Sequence, residues 1–149
     1  MEKVIENIDY YHIYRSIKPK WGVKLKTYRF ITSYPKQRAT KEKVMETYRE
    51  KYCPEFPTRM DSFFISTERG VLYWLKQLFG QDVVKSKNLC IVKLKLTGDI
   101  YWFNSLHYDS VKPEKYWKEC DKNIETSEEL FVGEFVNFED CTEHFSQLM

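Results

Sequence analysis

The chain has 149 residues, and its contents of 42% hydrophobic and 17% aromatic residues exclude a disordered protein. Overall, 24 Lys and Arg nearly balance 22 Asp and Glu, but residues 1–52 hold 13 of these basic residues against 6 acidic ones. This basic N-terminal segment therefore indicates an anionic partner, such as the phosphates of a cofactor or a nucleic acid.

The same composition predicts where the chain resides and argues against common metal and thiol sites. No apolar run approaches the length of a membrane span, and the N-terminus lacks the apolar core of a secretory signal, so we expect a cytoplasmic protein without a membrane partner. The four cysteines form no C-x-x-C pair, and the three histidines lie far apart, so neither a zinc site nor a Cys-His catalytic pair is indicated.

The first third of the chain predicts two strands and a helix. Alternation in Asp9 to Arg15 (DYYHIYR) predicts a strand, Lys18 to Gly22 a turn, and Val23 to Phe30 a short strand. Thr40 is expected to cap a helix that runs to about Lys51. Apolar residues recur along this helix at helical spacing: Val44, Met45, Tyr48 and Tyr52.

A strand and a capped helix follow the prolines of the segment CPEFPTRM, which cannot continue the first helix. Ser62 to Ile65 reads as a buried strand, and Ser66 or Thr67 should cap the helix after it. The helix should end at Gly80. Its predicted buried stripe consists of Val71, Leu72, Leu75, Leu78 and Phe79.

The last third of the chain predicts strands separated by short helices. Asn88 to Leu96 is the clearest strand, and Thr97 to Asp99 signals a turn before an extended segment. Pro113 should open a short helix. A further strand is expected over Glu129 to Asn137 and a terminal helix over Cys141 to Leu148.

This order of elements predicts a single α+β domain over residues 1–149, built on a mixed or antiparallel sheet. Regular βαβ winding is not favoured, because the spacing between the strong strands is irregular. Neither GxGxxG nor GxxxxGK[ST] occurs, which argues against a Rossmann or P-loop nucleotide site.

Four segments follow one another in a familiar order. They are Tyr11-His12, then Phe63 to Ser66 with Trp74 on the next helix, then CIVKLKLTGD, and finally EELFVGE from Glu128 to Glu134. This succession resembles the ADP-ribosyltransferase fold, and most closely the small bacterial rifampin ADP-ribosyltransferases. The sequence departs from the family pattern at three positions: Ile13 replaces a glycine, Tyr14 a small hydroxyl residue and Phe64 a tyrosine.

The resemblance implies two small mixed or antiparallel sheets that form a cleft for NAD, with short flanking helices. It also implies the cofactor contacts. His12, next to Tyr11, would bind the adenosine-side ribose. Phe64 would stack on the nicotinamide ring, with Ser62 and Ser66 nearby.

The resemblance further implies a catalytic carboxylate. Glu129 would hold the nicotinamide ribose, or Glu128 or Glu134 if the register differs, and Asp99 matches an acidic residue that the rifampin-modifying enzymes also use. Such a carboxylate makes chemical sense, because breaking the bond between nicotinamide and ribose develops positive charge on the sugar.

Three functions are consistent with these residues. The first is transfer of ADP-ribose from NAD to an unidentified acceptor, for which the basic N-terminal segment favours nucleic acid, although a protein acceptor is also open. The second is a non-catalytic binding module on the same fold, for a nucleotide, a nucleic acid or a protein. The third is a binder of single-stranded nucleic acid that uses interleaved basic and aromatic residues: Lys18, Lys20, Trp21, Lys24, Lys26 and Tyr28.

Overall fold

A computed structural model describes residues 2–3, 8–15, 18–27, 36–59, 63–76, 89–118 and 127–148. The strands are β1 (Glu2–Lys3), β2 (Tyr10–Arg15), β3 (Lys24–Lys26), β4 (Phe63–Ile65), β5 (Leu89–Asn104) and β6 (Ser127–Asp140). The helices are α1 (Lys36–Tyr52), α2 (Glu68–Trp74), α3 (Ser105–Asp109), α4 (Pro113–Tyr116) and α5 (Thr142–Gln147). The predicted α+β class is confirmed.

The sheet is mostly antiparallel. Its strands are hydrogen-bonded in the order β1, β5, β6, β3, with β2 also paired with β5 and β4 with β6. The pairs β1–β5, β2–β5 and β3–β6 are antiparallel. None of the helices among the described residues has the length and apolar character needed to cross a membrane.

The chain forms two compact units, each assembled from three stretches. Unit 1 comprises Met1–Lys3, Thr27–Phe64 and Asp99–Val132, and unit 2 comprises Val4–Lys26, Ile65–Gly98 and Gly133–Met149. Both β5 and β6 therefore begin in one unit and end in the other.

The core of unit 1 is mainly aromatic. Its buried members are Met45, Cys53, Phe103, Tyr108, Tyr116, Trp117 and Leu130, and Phe64 packs against them. The indole nitrogen of Trp117 donates a hydrogen bond to the Met45 carbonyl over 3.0 Å, so the one polar atom of this large side chain is satisfied. Pro113 lies in the first turn of α4, as predicted, and sets the short helix that brings Tyr116 and Trp117 into the core.

The core of unit 2 packs α2 and α5 onto one face of the β2–β5 ladder. Its buried members are Tyr11, Val71, Leu75, Leu89, Ile91, Cys141 and Phe145. Thr67 caps α2, because its hydroxyl accepts a hydrogen bond from the Gly70 amide over 3.3 Å, which confirms the predicted cap. Leu78, Phe79 and Gly80 lie outside the described residues.

The predicted N-terminal cap of α1 is wrong. Thr40 lies inside the helix, which begins at Lys36, because Lys36 to Ala39 all have high helix propensity and extend it towards the N-terminus. Only part of the predicted apolar stripe is buried: Met45 lies in the core, whereas Val44 and Tyr52 are exposed. The predicted end of the helix before the prolines is confirmed.

The predicted turn at Thr97 to Asp99 is also wrong. β5 continues through these residues without reversing, and Gly98 has a φ of 156°, a backbone conformation that residues with a side chain rarely adopt. The glycine therefore accommodates an irregularity within a long strand and does not end it.

Candidate functional site

A buried ion cluster in unit 1 surrounds the guanidinium group of Arg59, whose side chain is only 4% exposed. Nε and Nη2 of Arg59 donate to both carboxylate oxygens of Glu42 over 3.0 to 3.2 Å. Nη1 donates to the Tyr116 hydroxyl over 2.6 Å and also to Glu128 Oε1. The Tyr116 hydroxyl donates to the same Glu128 oxygen. One cation therefore binds two carboxylates from distant parts of the chain.

Local structure explains how the members of this Arg59 cluster reach each other. Glu42 lies three residues before Met45 on α1, so it shares the buried face of that helix. Tyr116 is the last residue of α4. Glu128 and Leu130 lie on the same face of β6, since strand residues two apart point the same way.

Aromatic rings cover the faces of the guanidinium. Arg59 Cζ lies 4.1 Å from the centre of the Tyr108 ring, 5.1 Å from that of Phe64 and 5.3 Å from that of Tyr116. These distances allow favourable contact between the cation and the electron-rich ring faces. Phe64, which was predicted to stack on the nicotinamide ring, therefore already contacts the Arg59 side chain with its ring.

The cluster fixes the protonation of its basic and phenolic members. Burial acts to lower the pKa of Arg59, but the oxygen of Tyr116 and the carboxylate of Glu42 outweigh it, so the pKa rises and the guanidinium stays charged. Burial raises the pKa of Tyr116 more than the Arg59 charge lowers it. The Tyr116 hydroxyl therefore keeps its proton and acts as a donor to Glu128.

These contacts decide what the Arg59 cluster can do chemically. Its two carboxylates outnumber its single guanidinium, so an incoming phosphate would meet a net negative charge. Five hydrogen bonds to Glu42, Tyr116 and Glu128 already use the Arg59 nitrogens. The arrangement is therefore suited to holding α1, α4 and β6 together and unsuited to binding an anionic group.

Glu129 has the opposite environment, although it follows Glu128 directly. Because successive strand residues point to opposite faces, Glu129 and Phe131 lie on the face of β6 away from the Arg59 cluster. The Glu129 side chain is buried, and its Oε2 has no hydrogen-bond partner among the described residues. Burial raises the pKa of Glu129 to about 8, although a hydrogen bond from its own backbone acts to lower it. The carboxyl group is therefore mainly protonated at pH 7.

The other predicted acidic residues have ordinary surroundings. Glu134 forms an ion pair with Lys24, in which Glu134 Oε2 lies 3.5 Å from Lys24 Nζ, and both side chains are substantially exposed. Asp99 lies within β5, where it is paired in register with Lys3 of β1, and it is partly buried. Among the four carboxylates proposed from the sequence, Glu129 alone combines burial with an oxygen that no described residue satisfies.

The remaining predicted residues that the structure describes belong to unit 2. Tyr11 and Ser66 exchange backbone hydrogen bonds of 2.7 and 2.8 Å, which joins β2 to the residue that precedes the α2 cap. The Tyr11 ring packs edge-on against Phe145 in the core. His12 is partly buried, and its ring packs edge-on against Tyr14 at 4.5 Å. Ser62 lies outside the described residues.

The structure thus brings some predicted residues together and adds others. Phe64 and Glu128 meet at Arg59, and Tyr11 and Ser66 meet at a backbone bridge. Sequence reasoning missed Arg59 and Glu42, because no local pattern marks an ion pair between residues 17 positions apart. The one available signal was an arginine two residues after the second proline of CPEFPTRM, where the chain leaves α1.

Comparison with known families identifies the chain. The family described as "Protein of unknown function (DUF2441)" matches residues 3–143, which is nearly the whole sequence. The chain belongs to this family. Curated proteins give no match. Within the described part of the chain, no group of three or more His, Cys, Asp and Glu side chains is arranged to hold a metal ion.

Proposed function

We propose that this protein is an NAD-binding ADP-ribosyltransferase-like protein, with an ADP-ribosyltransferase-like fold, that transfers ADP-ribose to an unidentified acceptor. The observation that carries the proposal is the buried Glu129 carboxyl group with its unsatisfied Oε2. The ordered resemblance of the motifs from Tyr10 to Phe138 to those of ADP-ribosyltransferases also supports the proposed activity.

Glu129 fits the role of the ribose-binding carboxylate better than its two alternatives. Glu128 already accepts hydrogen bonds from Arg59 and Tyr116. Glu134 is paired with Lys24 at the surface. A buried acceptor without a donor carries an energetic cost, and a ribose hydroxyl would supply the missing donor. These contacts support Glu129 as the ribose-binding glutamate of the proposal.

NAD would supply an ADP-ribosyl group whose bond to nicotinamide breaks as positive charge develops on the ribose. As a carboxylate, Glu129 would accept a hydrogen bond from the ribose hydroxyl and stabilise that positive charge. Glu129 is mainly protonated at pH 7 in the protein without NAD. A hydrogen bond donated by the ribose hydroxyl and the positive charge of the nearby nicotinamide should both favour the ionised form of Glu129. Binding of NAD should therefore release close to one proton. The cofactor contacts of Tyr11, His12, Phe64 and Ser66 stay predictions.

Calorimetry and product analysis test the proposal together. NAD is titrated into the protein at pH 7 in two buffers of different ionisation enthalpy, which measures proton release, and free nicotinamide is followed by chromatography. We expect binding, proton release and slow nicotinamide formation, all reduced in Glu129→Gln. Glu134→Gln is the matched control and should behave like the wild type. Absence of both NAD binding and nicotinamide release would refute the proposal.

One observation favours a second function on the same fold. The Phe64 ring already contacts Arg59 at 5.1 Å, and Glu128 is committed to the same cluster, so two predicted site residues have protein partners. A non-catalytic module that binds a nucleotide, a nucleic acid or a protein would tolerate this arrangement. NAD binding without nicotinamide release, unchanged over long incubation, would select this module over the transferase.

A further inference from the structure

A basic segment of unit 2 exposes a tryptophan. Residues 18–26 (KPKWGVKLK) contain four lysines and no acidic residue. The Trp21 side chain is 44% exposed, and Lys18, Lys20, Lys24 and Lys26 are all exposed. This segment therefore offers an accessible aromatic ring and several positive charges within nine residues.

The fold holds this segment in place through a fully buried asparagine. Asn137 Nδ2 donates to the Lys20 carbonyl over 2.9 Å, and the Asn137 carbonyl accepts from the Gly22 amide over 3.0 Å. Asn137 Oδ1 in turn accepts from the Tyr14 hydroxyl over 3.0 Å. Gly22 has a φ of 70°, which favours glycine, so the residue after Trp21 is suited to this tight path. Trp21 is thus presented on an anchored loop.

The lysines continue onto one face of the sheet. In the β3–β6 ladder, Lys24 lies opposite Val136 and Lys26 opposite Glu134. Alternation along β6 places Phe138 on the same face, where it is 41% exposed and Lys95 Nζ lies 5.0 Å from its ring centre. A second exposed aromatic residue with an adjacent lysine therefore extends the basic segment.

We propose that Lys18, Lys20, Trp21, Lys24 and Lys26, here called the basic–aromatic surface, bind single-stranded nucleic acid. Lysines would contact the phosphates, and the Trp21 ring would stack on a base, the combination that single-strand binders use. Lysines on an edge strand also discourage strand pairing between molecules, but that accounts only for Lys24 and Lys26. The proposal does not involve Glu129 and does not depend on NAD chemistry.

Fluorescence anisotropy with a labelled 12-nucleotide oligo(dT) tests this proposal. If the four lysines each neutralise one phosphate, the logarithm of the association constant should fall with the logarithm of salt concentration with a slope of about −3. Lys24→Ala with Lys26→Ala should reduce that slope by about 1.4. Trp21→Ala should weaken binding by about 5- to 150-fold, whereas Trp21→Phe, which keeps a flat ring, should retain most of it.

Matched controls come from unit 1. Lys112→Ala with Lys115→Ala removes two exposed lysines, and Tyr52→Ala removes an aromatic residue that is 54% exposed. Both should bind the oligonucleotide like the wild type. No binding at 50 mM salt, or equal binding by wild type and Trp21→Ala, would overturn the proposal. Preference for phosphatidylserine vesicles over the oligonucleotide would also overturn it, in favour of a membrane surface.

Discussion

Replacing Arg59 by methionine should destabilise the protein far more than the loss of an ordinary ion pair. Methionine fills much of the volume but leaves the Glu42 and Glu128 carboxylates without their cation. Both are largely buried, with Glu42 5% and Glu128 12% exposed. Removing one partner from a buried ionic group costs about 3–5 kcal/mol, since the remaining charge stays desolvated.

A surface ion pair in the same chain gives a reference for the stability lost in Arg59→Met. Lys24 and Glu134 are 3.5 Å apart, and the Lys24 side chain is 71% exposed. Pairs of this kind contribute about 0–1 kcal/mol, so Lys24→Met should change stability little. Urea unfolding followed by circular dichroism gives the free energy of unfolding for the wild type and both variants.

The acid dependence of Arg59→Met separates charge burial from lost packing. Protonating the stranded carboxylates removes the charge that Arg59 no longer balances, so the deficit should shrink as the pH is lowered from 7.5 to 5. Adding Glu128→Gln to the variant should recover part of the lost stability. A deficit below about 1 kcal/mol, or one that is the same at both pH values, would refute this account of the Arg59 cluster.

Three smaller predictions concern other buried polar groups. Glu129→Gln should alter the pH dependence of stability. Between the ordinary pKa of 4.5 and the raised pKa of about 8, Glu129 is ionised in the unfolded chain but protonated in the folded protein. The stability of the wild type should therefore fall as the pH rises through this range, and the variant should lack this fall. Urea unfolding at pH 5 and pH 8 measures the free energy of unfolding of both proteins. Relative to the wild type, the variant should become more stable by up to about 1.4 kcal/mol for each pH unit, and an equal pH dependence in both proteins would contradict the raised pKa. Tyr14→Phe leaves Asn137 Oδ1 buried without its donor and should cost about 1–3 kcal/mol in thermal unfolding, whereas Tyr52→Phe at the surface should cost nothing measurable. Thr67→Ala should cost about 0.5–2 kcal/mol by removing the α2 cap, while Thr67→Ser should keep it; equal losses in both would rule out the capping bond as the cause.

Local signals in the sequence predicted local structure well. The Thr67 cap, the Pro113 helix start and the end of α1 before two prolines each depend on a few neighbouring residues, and each is confirmed. The turn at Gly98 failed for a physical reason. Glycine permits both a reversal and an irregular strand, and pairing partners elsewhere in the chain decide between them.

The site residues were harder to predict, because their environments come from remote contacts. Glu128 and Glu129 are adjacent in the sequence and would ordinarily be solvated. Pairing of β6 buries one against Arg59 and the other on the opposite face. The sequence could name the Glu128-Glu129 pair but could not distinguish its members, since that needs the cation that Arg59 supplies from 69 residues away.

The three-stretch construction of each unit has a consequence for biosynthesis. β6 contributes Leu130 to the core of unit 1, and the chain beyond it contributes Cys141 and Phe145 to the core of unit 2. A nascent chain on the ribosome therefore completes the unit 1 core only after Leu130 has emerged and the unit 2 core only after Phe145 has emerged. A C-terminal truncation that extends back through Leu130 removes part of both cores at once. We thus expect unit 2 to fold only after Phe145 has left the ribosome, and a contiguous fragment that carries one intact unit without part of the other cannot be cut from this chain.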